Sequence, residues 1–161
     1  MEQAAVLVSL LGMIKGANEL VTKQSPGALC IRANPLGPLD PFPISYQFRF
    51  RPANESYTLS IDGAQDIKTG KYTFSSITKA DPILGVTGNL LRCTVDIYYA
   101  VKAIRGAGFQ DPVFLCSLFQ AEVPQNPDPW YQYTPTDCHW IDEHHYIFVN
   151  AINGTVRLFP T

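Results

Sequence analysis

The fold is decided by residues 44–61, which read ISYQFRFRPANESYTLSI. Apolar and polar residues alternate over 44–51, and the alternation resumes over 57–61. Because successive side chains of a β-strand point to opposite faces, each segment has one buried face and one face in water. Pro52 cannot donate a hydrogen bond to a sheet, and the residues after it favour a turn. The stretch therefore predicts an antiparallel β-hairpin.

The alternation also predicts which side chains form the core. Arg49 and Arg51 fall on the opposite face of the first strand, where we expect them to be solvated. The same reasoning extends the core set to later strands. The expected core residues are Ile44, Tyr46, Phe48, Phe50, Leu59, Ile61, Leu115, Ile147 and Val149.

Further segments have the composition of strands. One of them is a nearly unbroken apolar run, which is typical of a strand at the centre of a sheet. Near the C-terminal end of the sequence, Asn153-Gly154 lies between two apolar segments and is a strong hairpin signal. The predicted strands are 28–33, 71–78, 113–123 (the central one), 145–152 and 155–159.

Residues 90–104 fit two structures. Every second residue over 91–103 is apolar, as in a strand, and the content of β-branched and aromatic residues favours this interpretation. Apolar residues spaced by three or four also share one helical face, and Asn89 and Gly106 are typical of helix ends. We predict a long strand, with a helix as the alternative.

Residues 2–23 predict an amphipathic helix, the one helix of the expected fold. Its apolar surface is wider than a single contact needs, because further apolar residues flank the main stripe. This width indicates a helix packed across a sheet, or, as the alternative, a helix that also contacts a second subunit. The stripe consists of Leu7, Leu10, Leu11, Ile14, Ala17 and Val21.

Two proline-rich segments, 35–43 and 124–137, are expected to be connecting loops. The second one also contains Trp130, Tyr131 and Tyr133. Together these features predict an α+β fold that is predominantly antiparallel β, a β-sandwich or barrel with one N-terminal helix. At 161 residues the chain is expected to form a single domain, 1–161.

Composition argues against several classes of function. The net charge is −2, from 14 acidic and 12 basic residues without a basic run, so we expect no nucleic-acid partner. The longest apolar stretch, 4–14, is too short to cross a bilayer and lacks the basic start of a signal peptide. We therefore expect no membrane partner and a chain that is cytoplasmic or assembled in a virion.

The four cysteines, Cys30, Cys93, Cys116 and Cys138, occur singly. Apolar neighbours favour buried free thiols in a reducing compartment. An even count also permits two disulfides in any of three connectivities, although a chain of this length does not depend on them.

One cluster holds residues of the kind that bind metals. If residues 138–145 are extended, His139, Glu143 and His145 share a face, and two imidazoles with a carboxylate suit zinc or iron. Their spacing matches no established metal signature, and the sequence contains no nucleophile or phosphate-loop motif. We therefore expect neither an enzyme nor a cofactor, and these three residues remain weak metal candidates.

Charged residues make up only 16% of the chain, which suits a surface that other subunits cover. We expect a non-enzymatic structural or interaction protein, a subunit of a larger symmetric assembly that associates with itself or with other subunits. The expected architecture is similar, at the level of the fold alone, to phage tail-tube proteins and other virion building blocks. The alternative is a small metal-dependent enzyme or metal-binding domain. The expected interface residues are Leu7, Leu10, Ile14, Trp130, Tyr131 and Tyr133.

Overall fold

Antiparallel β-strands and two α-helices make up the computed structural model, which describes residues 7–38, 40–122, 127–135 and 146–159. This confirms the predicted class of a mostly antiparallel α+β fold. In chain order the elements are α1 (Leu10–Gln24), β1 (Leu29–Pro35), β2 (Ser45–Arg51), β3 (Thr58–Gln65), β4 (Tyr72–Phe74), β5 (Thr78–Ala80), β6 (Val86–Thr87), a 3-10 helix (Leu90–Arg92), α2 (Ile97–Gly106), β7 (Val113–Ala121), β8 (Trp130–Pro135), β9 (Tyr146–Asn150) and β10 (Val156–Phe159).

The strands form one sheet in the order β10-β9-β8-β7-β1-β2-β3-β4, while β5 pairs with β3 and β6 pairs with β7. The sheet consists of two meanders of consecutive strands, β1 to β4 and β7 to β10. They join where β1 pairs with β7, at Arg32 opposite Phe119 and Ala33 opposite Leu118. Both helices lie over one face: α1 packs on the first meander and α2 packs against β9.

The hairpin predicted from residues 44–61 is confirmed. Strands β2 and β3 are antiparallel, and the apolar positions of both strands point into the core, as expected. Only Ile44 differs among the nine expected core residues: it is 43% exposed because it precedes the first residue of β2. The confirmed core residues are Tyr46, Phe48, Phe50, Leu59, Ile61, Leu115, Ile147 and Val149.

The other predicted strands are present with changed bounds. The apolar run over 113–123 gives β7, which lies at the centre of the sheet as predicted, and Asn153-Gly154 lies in the turn between β9 and β10. The segment 71–78 was expected to be one strand, but it holds β4 and only the first residue of β5. The chain bends between them, where the Ser75 amide donates to the Asp62 carbonyl.

Helix α1 begins later than predicted. Ser9 has an extended backbone, and its hydroxyl accepts a hydrogen bond from the Gly12 amide at 3.0 Å, so it caps a helix that starts at Leu10. The expectation of helix over 7–9 is therefore wrong, and residues 2–6 lie outside the described residues. The helix ends at Gln24, one residue beyond the predicted end.

Glycines bring α1 close to β4. A Cβ atom at Gly16 would lie 2.7 Å from the Phe74 ring, and one at Gly12 would overlap the Tyr72 hydroxyl. Larger residues at these positions would hold the helix away from the strand. Part of the helix surface beside its apolar stripe is therefore covered by β4.

The prediction of a strand over 90–104 is wrong. A 3-10 helix, Leu90–Arg92, is followed by α2, whose first turn is capped by the Asp96 carboxylate rather than by Asn89. Asn89 instead caps the 3-10 helix. The apolar spacing of Ile97, Val101 and Ile104 gives α2 a buried face, and this spacing prevailed over β-propensity.

The prediction of a loop over 124–137 is wrong for residues 130–135, whereas the described residues 127–129 lie outside any strand or helix, as predicted. Residues 130–135 form β8, because four successive non-proline residues follow Trp130 and alternate between the two faces. Prolines are found before the strand and at its last position, Pro135. The other proline-rich segment, 35–43, begins with the last residue of β1, and its remaining described residues connect β1 to β2 without a strand.

Candidate interaction surfaces

The predicted metal ligands His139, Glu143 and His145 lie outside the described residues. Within the described ranges, no three histidine, cysteine, aspartate or glutamate side chains are grouped so that they could hold a metal ion. The metal hypothesis therefore stays an untested prediction of the sequence.

Five of the six predicted interface residues are buried within the chain. Leu10 and Ile14 lie on the core side of α1, and Trp130, Tyr131 and Tyr133 are buried strand residues of β8. Leu7 differs, because it precedes the helix and is 59% exposed. The side chains of these five residues pack inside the chain, and among the six only Leu7 is exposed.

A single carboxylate joins the two helices. Asp96 caps α2 through the Ile97 amide at 2.8 Å, and it also accepts hydrogen bonds from the Leu10 amide at 3.0 Å and the Ser9 hydroxyl at 2.7 Å. The positive ends of two helix dipoles thus meet at one negative charge. A further anchor is the Gln65 side chain, which accepts from the Ser9 amide at 2.8 Å.

Three tyrosines are buried between the sheet and this carboxylate. The Tyr131 hydroxyl donates to the Val95 carbonyl at 2.6 Å, whereas the hydroxyls of Tyr46 and Tyr133 have no hydrogen-bond partner among the described residues. Burial, with the nearby Asp96 charge as a further contribution, raises the pKa of Tyr133. Burial likewise raises the pKa values of Tyr46 and Tyr131. All three are therefore neutral at physiological pH.

The cysteines next to this cluster are poor nucleophiles. Cys30 and Cys93 are buried thiols, as the sequence predicts. Burial raises the pKa of Cys93 to about 12, and it raises the pKa of Cys30 further. Because the thiolate is the reactive form, neither residue is prepared for covalent catalysis at neutral pH. The chemistry of the buried cluster is that of a structural core.

Arginines on the opposite face of the sheet hold a loop in place. Arg49 donates to the Asp81 carbonyl at 2.6 Å and to Thr58, and Arg51 donates to the Val86 carbonyl at 2.7 Å. Both are partly buried, so the expectation that they are simply solvated is wrong. Their hydrogen bonds tie the loop over 81–86 to the sheet, which is a structural role.

An aromatic cluster lies on the surface of α2. Tyr98 and Tyr99 are 38% and 58% exposed, and the Tyr98 ring lies 6.3 Å from the ring of Phe42 and 5.4 Å from that of Tyr99. We call these three residues the tyrosine cluster. This cluster was not predicted, because a strand over 90–104 would have placed the adjacent tyrosines on opposite faces. Asp96 as a helix cap was the signal in the sequence that could have revealed it.

The edge of the sheet at β10 is open in the described part of the chain. Strand β10 pairs with β9 on one side without a bulge, and no described strand pairs with its other side. Leu158 on this strand is 52% exposed. A strand that is paired on one side only and carries an exposed apolar side chain is a template for the addition of another strand.

No helix within the described residues is long and apolar enough to cross a membrane. Comparison of the chain with protein-family models, with curated proteins and with solved structures found no match.

Proposed function

We propose that this chain is a non-enzymatic structural or interaction protein, a subunit of a larger symmetric assembly such as a virus or phage particle. The observation that carries the proposal is the tyrosine cluster of Phe42, Tyr98 and Tyr99. Tyrosine is enriched in protein interfaces because its ring buries a large area at a small cost in side-chain entropy. Single exposed apolar residues are ordinary, whereas contiguous exposed rings indicate a contact surface.

The buried tyrosines and cysteines described above, which are uncharged at neutral pH, are consistent with this proposal. An active site usually contains groups whose pKa values are shifted toward the working pH. In the described residues, the pKa values of Cys93 and Tyr133 are raised, so they lie further from neutral pH than the ordinary values of these groups. These buried groups fit a structural core better than a reactive site, in agreement with a structural subunit.

We also propose that the sheet folds into one of the two forms expected from the sequence, a sandwich or a barrel. The described strands form one sheet of ten. Twisted sheets of this size tend to curl or to split into two packed layers. Of these two forms, a sandwich keeps β10 at an edge of the sheet, whereas a barrel would pair it.

Sedimentation velocity over a range of concentrations tests the proposal. We expect the wild-type chain to form species heavier than a monomer, and the double variant Tyr98→Ser/Tyr99→Ser to shift to smaller species at the same concentrations. Lys15→Ser, at an exposed position of α1, is the matched control and should behave as wild type. A wild-type chain that stays monomeric throughout would contradict self-assembly, and an unchanged double variant would contradict the assigned surface.

A further inference from the structure

The open edge of β10 identifies a partner for the assembly proposed above. We infer that β10 pairs antiparallel with β10 of a second copy of this chain, so that two sheets continue into one across a two-fold axis. This inference rests on the proposed function and adds a specific contact to it. It concerns the strand Val156–Phe159 and not the tyrosine cluster.

The hydrogen bonds of the β9–β10 hairpin show which backbone groups of β10 are not used by β9. The Asn150 amide donates to the Thr155 carbonyl at 2.8 Å, so these two residues form a hydrogen-bonded pair. Bonded and non-bonded pairs alternate along an antiparallel ladder, which makes Arg157, opposite Phe148, the next bonded residue. The N–H and C=O groups of Val156 and Leu158 therefore point away from β9, into the open edge.

Nothing within β10 blocks a second strand. The segment VRLF contains no proline and no lysine, and its pairing with β9 has no bulge. These are the devices by which proteins usually protect an edge. Its one charged side chain, Arg157, places its guanidinium 5.1 Å from the centre of the Trp130 ring, so the charge lies over the face of the chain's own sheet.

The apolar positions of the edge are complementary to each other, and the two Arg157 side chains that meet at the axis each reach back over the Trp130 ring of their own chain. A two-fold axis at Arg157 pairs Val156 of one copy with Leu158 of the other, and it does so twice, which gives about four backbone hydrogen bonds. Val156 packs partly on the core, and Leu158 shares its face of the sheet, so each meets an apolar side chain of the other copy. Such a contact is closed, and closed two-fold contacts are the commonest in homo-oligomers.

Variants at position 158 distinguish pairing of the two strands through backbone hydrogen bonds from association through apolar side chains alone. Leu158→Pro removes an N–H group that points outward and leaves the bonded pairs with β9, whereas Leu158→Ala removes the side chain and keeps the N–H group. In sedimentation equilibrium we expect Leu158→Pro to weaken the two-fold contact at least a hundredfold and Leu158→Ala to weaken it less than tenfold. Equal affinities of the two variants would overturn the inference.

Cross-linking tests the register and does not depend on a proline. With the axis at Arg157, the two copies of this residue form a non-bonded antiparallel pair with Cα atoms about 4.5 Å apart, a separation that a disulfide spans. In a Cys116→Ser/Cys138→Ser background, Arg157→Cys should oxidise to a covalent dimer at least tenfold faster than Asn153→Cys, which lies on the exposed turn. Equal rates would overturn the inference.

The two proposals fail in different ways. If Leu158→Pro keeps the wild-type mass distribution while Tyr98→Ser/Tyr99→Ser loses it, the β10 contact is wrong and the assembly proposal stands. If the wild-type chain is monomeric at every concentration, both are wrong.

Discussion

The two edges of the sheet are built differently. The edge formed by β4 and β5 consists of two three-residue strands separated by a bend, with the exposed side chains of Lys71 and Lys79 nearby. Helix α1 packs through its glycines on the rings of Tyr72 and Phe74. The edge at β10 is a single four-residue strand that has no bend, no lysine and, among the described residues, no helix packed beside it. Within the described residues, the edge at β4 and β5 therefore has more of the features that discourage pairing with another chain.

The two edges therefore differ in the features that discourage strand addition. An interruption, lysines and a covering helix are concentrated on the first meander. This is why we propose the contact with a second copy at β10 and not at β4.

The packing between β3 and β4 should tolerate added side-chain volume less well than the edge at β10. A Cβ atom at Gly63 would lie 2.8 Å from the Phe74 ring and 3.0 Å from the Phe48 ring, so Gly63→Val should lower the free energy of unfolding by about 3 kcal/mol through overpacking. At the open edge, Leu158→Ala should lower it by less than about 1 kcal/mol, because that side chain is half exposed. Urea unfolding followed by fluorescence measures both. A neutral Gly63→Val would show that β4 is not packed tightly on β3.

The stability of both α1 and α2 should depend on the Asp96 carboxylate. Asp96→Ala removes the cap of α2 and the hydrogen bonds to Ser9 and Leu10 at the start of α1, and we expect it to lower the free energy of unfolding by about 2 to 3 kcal/mol. Ser9→Ala removes the cap of α1 and one hydrogen bond to Asp96, leaves the Asp96 cap of α2 in place, and should cost about 1 kcal/mol. Circular dichroism melts of both variants provide the measurement. Equal losses would mean that Asp96 stabilises only one helix.

Both halves should lose stability together in alkali. The pKa of Cys93 is about 12 in the folded chain against an ordinary value of 9.0, and burial also raises the pKa values of Tyr46 and Tyr133. Above pH 9 the unfolded chain releases protons that the folded chain keeps, so the stability present below pH 9 is lost as pH rises. Each group contributes a slope of about 1.4 kcal/mol per pH unit above its ordinary pKa.

Urea unfolding at pH 9, 10 and 11 tests this dependence. Tyr46→Phe removes one of the groups and should make the loss above pH 10 shallower by about 1.4 kcal/mol per unit. The same slope in wild type and variant would show that the Tyr46 hydroxyl ionises freely in the folded chain.

The hairpin of β2 and β3 was predictable because its strands alternate strictly and its turn is local. The central position of β7 was predictable for a similar reason, since a long apolar run has to be covered on both faces. Strand β8 was missed because its neighbouring prolines concealed a short alternation, Tyr131 inward and Gln132 outward. Such a pattern becomes decisive only once β7 and β9 provide its hydrogen-bond partners.

The candidate surfaces were harder to predict than the core. Leu10 and Ile14 were expected at an interface because the apolar surface of α1 looked too wide for one sheet contact. The glycines that bring β4 against the helix use part of that surface, and no local pattern indicates which strand a glycine faces. The exposure of Tyr98 and Tyr99 depends on a helix in a segment where helix and strand patterns compete.

The narrow junction between the meanders has a consequence for folding. Within each meander every strand pairs with its neighbour in sequence, so those contacts close short loops and form quickly. The contact of Ala33 with Leu118, and that of Ser9 with Asp96, join residues more than eighty positions apart. We therefore expect two fast local units and one slow long-range step in folding. Variants at Ala33 or Leu118 should slow refolding more than variants within either meander.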